Sequence, residues 1–190
     1  MPGGELDGIA RRLAQHRPRS EEGDPTLRWA AVALILVPDP DAILLIRRAE
    51  RQGDPWSGHM ALPGGRRSGS DPDLLAAAVR ETAEEVGIAL PRDALIGALD
   101  DVAPRTPVLP PIAVRPYVFR LGERPPLELN AEVAAAAWVP LDVLRHPETY
   151  QTVTLHLHGA DIVVPAYRYE EAVVWGMTER ILTRFFEVVT

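Results

Sequence analysis

Three glutamates, Glu81, Glu84 and Glu85, crowd the stretch "AAAVRETAEEVGI". On a helix, at about 100° per residue, they fall within an arc of roughly 100°. Carboxylates held that close repel one another and raise each other's pKa. A divalent cation removes the penalty. An all-oxygen set favours Mg2+ or Mn2+ over zinc, because Mg2+ takes a few carboxylates together with waters and phosphate oxygens. A glutamate-rich helix face is usually only a solvated surface. Here Gly64 and Gly65 precede the helix closely and Arg80 stands directly before Glu81, a setting that turns the cluster into a candidate metal site.

The helix that must carry these acids has legible ends. Asp71 is the expected N-cap, with Pro72 at the first helical position, where a missing N–H costs little. Gly87 suits the left-handed residue that closes a helix. Leu75, Val79, Thr82 and Val86 form a narrow apolar stripe, and the glutamates lie away from it. Gly64 and Gly65 let main chain approach a metal or a phosphate without a Cβ in the way. The run "GGRRSGS" is no P-loop, since it lacks the Lys-Ser/Thr that contacts phosphate and metal.

The flanking elements are read from periodicity and turn residues. Residues 5–16 predict an amphipathic helix with Leu6, Ile9, Ala10 and Leu13 inward, followed by a polar linker. "RWAAVALILV" (28–37) and "AILLIRR" (42–48) predict a hairpin around "PDPD". "RAERQGDPWSGHMALPGG" (48–65) reads as loop. Strands are expected at 95–101, 112–121, 134–139, 151–157 and 161–169, with a short helix near "LDVLRH". "EEAVVWGMTERILTRFFEVV" predicts a C-terminal helix with Val174, Thr178, Ile181, Leu182 and Phe185 facing inward. Trp138 and Trp175 are expected in the core. His156 and His158 share a strand face but have no third ligand nearby.

The whole chain has 190 residues, 46% hydrophobic and 25% charged, which suits one α/β domain. Its net charge of −7 argues against binding a nucleic-acid polymer, which needs a basic surface. There is no cysteine, so disulfides and thiolate metal sites are excluded. No apolar run reaches the roughly 20 residues of a membrane span and the N-terminus lacks an apolar signal region, so no membrane association and a cytoplasmic location are expected.

The glycine, acid, Arg-Glu, Glu-Glu and glycine series resembles the Nudix hydrolases, with Gly65, Asp71, Arg80, Glu81, Glu84, Glu85, Gly87 and Ile88 at the matching positions. Asp71 stands where the family usually has Glu, and the gap to Arg80 is one residue longer than the common pattern. That longer gap is similar to the coenzyme A pyrophosphatase-like subgroup. So are "LLIRRAERQGDPWSGHMALPGG" before the box and "VVWGMTERIL" near the C-terminus. The chain departs from the subgroup at Trp56 and His59, where His and Gln are usual.

The resemblance implies a single-domain Nudix fold, an α/β/α sandwich with a mixed β-sheet, over residues 28–190, behind an N-terminal helix and linker at 1–27. It implies a pyrophosphohydrolase that uses Mg2+ or Mn2+ held by Glu81, Glu84 and Glu85. Arg80 is expected to orient Glu81 or pair with Asp71. A later-loop acid, Glu123 or Glu132, would be a further ligand or the base. Gly64, Gly65, His59 and Arg47 (or its neighbour Arg48) are the candidate substrate contacts. The expected partner is a small pyrophosphate compound, foremost coenzyme A, with ADP-ribose, NADH and dinucleoside polyphosphates as alternatives. A nucleotide-sensing module without turnover is a further alternative, disfavoured by the complete set of helix glutamates. The sequence leaves a homodimer open.

Overall fold

The computed structural model describes residues 4–21, 26–52, 58–103, 111–157 and 159–190. Trp56 and His158 lie outside them. The long apolar strands form a central mixed sheet. β1 (Arg28–Val37) runs parallel to β6 (Ile112–Arg120) along its whole length, and β5 (Leu95–Ala98) closes that edge antiparallel to β6. On its other side β1 meets two partners. Its C-terminal end pairs with β2 (Ala42–Arg48) at Leu36–Ile43 and Val37–Ala42, while residues 30–32 pair with β4 (Gly64–Arg66). β2 pairs further with β3 (Met60–Ala61) and β7 (Val133–Pro140). The segment expected to be pure loop thus contributes two short strands to the sheet.

Each sheet face is apolar and each is covered. Ala33, Ile35, Leu44, Ile46 and Phe119 pack against Val86 of α2 (Leu74–Val86). Leu34, Leu36, Ile43, Leu45 and Val118 pack on the other face with Leu6, Ile9 and Leu13 of α1 (Glu5–Gln15) and with Ile181, Leu182 and Phe185 of α4 (Gly176–Val189). Burying each of these large side chains contributes about 1.5–3 kcal/mol. This is the expected α/β/α sandwich. The N-terminal helix is seated in the shared core, and Arg120 of β6 pairs with its Asp7. α3 (Leu141–Arg145) follows β7. A second sheet of β8 (Tyr150–Leu157), β9 (Ala160–Tyr169) and β10 (Ala172–Trp175) leads into α4.

Several boundaries differ from the sequence expectation, each for a local reason. The C-terminal helix starts at Gly176, because residues 172–175 pair with β9 as β10; Val174 is therefore buried from a strand. The strand expected at 95–101 ends at Ala98. Helix α2 is capped by Asp73, whose side chain accepts from Ala76 N at 2.7 Å, and not by Asp71. Asp71 is occupied elsewhere, as shown below. The buried face of α2 is also broader than a stripe: Leu74, Ala77, Ala78, Thr82, Glu85 and Val86 are buried, while Leu75 and Val79 are half-buried. Gly87 does close the helix in the left-handed conformation, with φ 74°. Among the described residues no helix is long and apolar enough to cross a membrane.

Candidate active site

The cavity that matters opens where β1 leaves β2 and turns to β4. It has a volume of about 680 Å³, and Glu81, Glu85 and Glu132 line it together with Gly64, Gly65 and Arg48. Two glycines bring the main chain hard against α2. Gly64 has φ 145°, and a Cβ there would stand 2.3 Å from the Ala31 carbonyl oxygen, so only glycine lets β4 pair with β1 at this point. Its N–H donates to Glu85 Oε2 at 2.9 Å. At Gly65 the space of a Cβ is filled by the Glu81 carboxyl group, whose carbon would lie 2.5 Å away. The glycines therefore make room for the acids themselves.

Electrostatics follow from that packing. Glu85 is 3% exposed, and burial pushes its carboxyl up to about 7, with the Glu81 and Glu132 carboxylates adding to the rise against the Gly64 N–H. Burial also raises Glu81, against the pull of Arg80. Desolvation thus outweighs the mutual repulsion that the spacing suggested. Arg80 fixes the exposed side of the cluster. Its Nε and Nη2 donate to the two oxygens of Asp71 at 2.9 Å each, and its Nη1 lies 2.9 Å from Glu81 Oε1. Asp71 is buried and also accepts from Ser68 N at 2.7 Å, and the Arg80 hydrogen bonds hold its carboxyl far below the usual range. Arg80 thus contacts both of the acids it was expected to choose between. Asp71 works as its anchor and leaves the helix cap to Asp73.

The three helix carboxylates do not meet at one point. Glu84 is largely exposed, does not line the cavity, and pairs with Arg80 Nη1 at 3.3 Å. Carboxylates repel, so each turns to its nearest donor, and among the described residues no three acidic or imidazole side chains close into a ready cation cage. The donor set still suits a hard cation. It is all oxygen, Glu85 and Glu81 are desolvated, and the Gly65 cradle aims Glu81 at the cavity. The hold on Glu84 is weak, since an exposed i,i+4 pair is worth only about 0.3–0.5 kcal/mol.

The remaining candidates separate clearly. Glu132 lines the cavity and pairs with Arg51 at 3.0 Å, whereas Glu123 is exposed beyond the end of β6 and outside the cavity. Arg48 lines the cavity; Arg47 is exposed and does not. The β2–β7 register slips between these two arginines, and such a bulge re-aims side chains. His59 lines the cavity and meets the Trp175 ring edge-on, with centroids 4.7 Å apart. Trp175, expected in the core, is a wall of the cavity; Trp138 does pack on the core. His156 is exposed and lies 2.8 Å from Asp161. Sequence reading missed Arg51, which lies 81 residues from its partner and carries no local signal, and Arg66, which also lines the cavity. The arginine directly after the two glycines was the available clue to Arg66.

Residues 26–156 match the family model of the NUDIX domain. The chain is 31% identical over 182 residues to the Nudix hydrolase NudL of Klebsiella pneumoniae, covering 93% of this chain and 91% of that one. It is 44% identical over 111 residues to protein C14C4.10c of Schizosaccharomyces pombe, covering 56% of this chain but only 34% of the yeast protein. A MutT/nudix family protein from Enterococcus faecalis superposes with a TM-score of 0.61 at 22% identity, covering 98% of this chain and 70% of that one.

Proposed function

The chain belongs to the Nudix hydrolases, enzymes acting on nucleoside diphosphate derivatives, and from that premise we propose that it is a metal-dependent pyrophosphohydrolase of coenzyme A. The products would be 3′,5′-ADP and 4′-phosphopantetheine. The observation that carries the hydrolytic part is the gathering of Glu81, Glu85 and Glu132 on one cavity, two of them lifted by burial.

Glu81 and Glu85, joined by Glu84 once it leaves Arg80, would hold Mg2+ or Mn2+, which offsets charge on the phosphates and makes water more acidic. The chain's own residues do the rest. Water attacks one phosphorus, the bond to the bridging oxygen breaks, and the other phosphate leaves. Glu132, the remaining acid on the cavity, takes the proton of the attacking water. Arg51 holds Glu132 in place, and Arg80 holds Glu81. Arg48 and Gly64 line the same cavity, and on this reading they would meet a phosphate of the substrate.

Support for coenzyme A comes from where the two subgroup-like segments meet. His59, Met60 and Leu62 of the upstream segment face the same cavity as Trp175, Met177 and Ile181 of the C-terminal one. They give it an apolar wall suited to an uncharged chain beside a nucleotide. The test is a panel of coenzyme A, ADP-ribose, NADH and diadenosine polyphosphates with Mg2+ and Mn2+, products separated by chromatography. The highest kcat/KM is expected for coenzyme A. A far lower value than for the other three removes the coenzyme A assignment, and no hydrolysis of any removes the enzyme assignment.

A further inference from the structure

The chain is acidic overall, with a net charge of −7, yet the hollow next to the cavity is lined by three arginines. It measures about 510 Å³ and is bounded by Arg28, Trp29, Arg66, Arg67, Ser68 and Asp71, among others. Arg66 lines both this hollow and the carboxylate cavity, so the two are neighbours. Strand register explains the arrangement. Arg66 of β4 pairs with Ala30 of β1, and Arg28 lies two residues back on the same face. In the parallel pairing Ala30 faces Val114 and Arg28 faces Ile112, both of which line the cavity. One row of side chains therefore runs from the cavity wall out to Arg28. Diagonal positions of this kind lie about 7–8 Å apart, so the two guanidinium groups can reach a common anion.

The charge there is not cancelled. Asp71, the hollow's acid, is bound by both oxygens to Arg80. Arg67 donates to the carbonyl oxygens of Asp71 and Pro72, contacts that leave its charge in place. Arg28 and Arg66 are exposed, and among the described residues neither has a carboxylate partner. Two unneutralised guanidinium groups on one strand pair match the oxygens of a phosphate. Arg28 is not part of the carboxylate cavity, so an anion held there sits beyond the bond being cleaved.

We propose that Arg28 and Arg66 form a subsite for a phosphomonoester that the substrate carries outside its pyrophosphate, as on a phosphorylated ribose. The subsite rests on the pyrophosphohydrolase reading of the adjoining cavity, and it makes these two arginines specificity-determining residues of that reaction.

The experiment uses substrates that differ in this one group. Coenzyme A and 3′-dephospho-coenzyme A are compared by kcat/KM in the unaltered enzyme, in Arg28→Gln, Arg66→Gln and the double variant, with Arg92→Gln as an exposed control. The unaltered enzyme is expected to prefer the phosphorylated compound by about tenfold, the scale of one charge-assisted contact. The double variant should bring the ratio close to one, chiefly through KM for coenzyme A, and Arg92→Gln should leave the ratio where it was. A ratio near one in the unaltered enzyme overturns the proposal, as does a ratio the variants leave unmoved or a fall of both substrates by one factor. Calorimetry with 3′,5′-ADP and 5′-AMP reads the same subsite without turnover. Tighter binding of 3′,5′-ADP, lost in the double variant, supports the subsite even if no pyrophosphate is hydrolysed, and that outcome would sink the hydrolase reading alone. Equal binding of the two nucleotides sinks the subsite.

Discussion

Two helices of this protein each bury a glutamate, and the two burials differ in kind. Glu179 on α4 is 4% exposed and accepts hydrogen bonds from Tyr150 Oη and Thr183 Oγ1, each at 2.9 Å. Thr183 is bonded in turn to Tyr167 at 2.9 Å, so the acid belongs to a closed network of hydroxyl groups away from the cavity. Glu85 on α2 is 3% exposed, accepts from the Gly64 N–H, and has the carboxylates of Glu81 and Glu132 for company on an open cavity. Hydroxyl donors make a buried acid part of the fold. A buried acid facing other acids costs stability, a cost that taking up a proton or binding a cation relieves. Burial alone does not tell a structural glutamate from a functional one; its partners do.

Replacing each acid by its neutral isostere is the strongest way to break this contrast. Glu85→Gln is expected to lower kcat roughly a thousandfold, as for loss of a group that stabilises transition-state charge, while the melting temperature holds or rises. Turnover assays with Mg2+ and a thermal melt on the same preparation check both halves. A melt several degrees lower with turnover kept would make Glu85 structural.

The adjacent glycines sharpen the contrast within two residues. Gly64→Ala forces a Cβ onto the main chain of β1 at a backbone conformation L residues avoid, and should cost about 3 kcal/mol or more of stability. Gly65→Ala meets first the carboxyl end of the Glu81 side chain, not main chain. It should lower kcat/KM about tenfold by displacing that carboxylate, with a smaller change in denaturant midpoint. If both variants lose the same stability, the loop serves the fold alone.

Glu179→Gln supplies the other side of the comparison. It weakens a charge-assisted network, so a loss of about 1–3 kcal/mol in chemical denaturation is expected with kcat/KM within twofold of the parent. A large drop in turnover at full stability would place α4's acid in the reaction.

The smallest effect concerns pH. Asp71 has its folded pKa depressed, chiefly by the Arg80 hydrogen bonds, from an ordinary value of 3.8. A depressed carboxyl contributes stability above its unfolded value, and the contribution is lost as pH falls through the folded one. Thermal melts below about pH 4 should therefore fall more steeply for the parent than for Asp71→Asn. Parallel acid limbs would show that the pair contributes nothing to stability.

Much of this was written locally. The end of α2 at Gly87, the clustering of Glu81, Glu84 and Glu85 along one arc, the long strands 28–37 and 42–48 and the apolar faces of α1 and α4 all follow from helical and strand periods that neighbouring residues set. The family was legible in a different way, through the resemblance of Gly65, Asp71, Arg80, Glu81, Glu84, Glu85 and Gly87 to the Nudix series, which no period supplies.

Choices between near-equivalent residues were made by partners distant in the chain. Asp71 is the cap that the sequence suggests; Arg80 takes its carboxylate, and Asp73 caps the helix instead. Glu123 and Glu132 are both loop acids until the Ala49 N–H bonds the Glu132 carbonyl at 2.8 Å and brings that loop beside the cavity. Arg47 and Arg48 are neighbours on β2 and point to opposite faces, and which face meets the cavity is set by the pairing of β2, whose register with β7 slips between them. Trp175 became a cavity wall because its segment joined β9 instead of extending α4. Periodicity tells which way a side chain points from its own element, because the backbone repeat is local. What it points at depends on strand pairings between segments as far apart as β1 and β6, and those exist only once the sheet has formed.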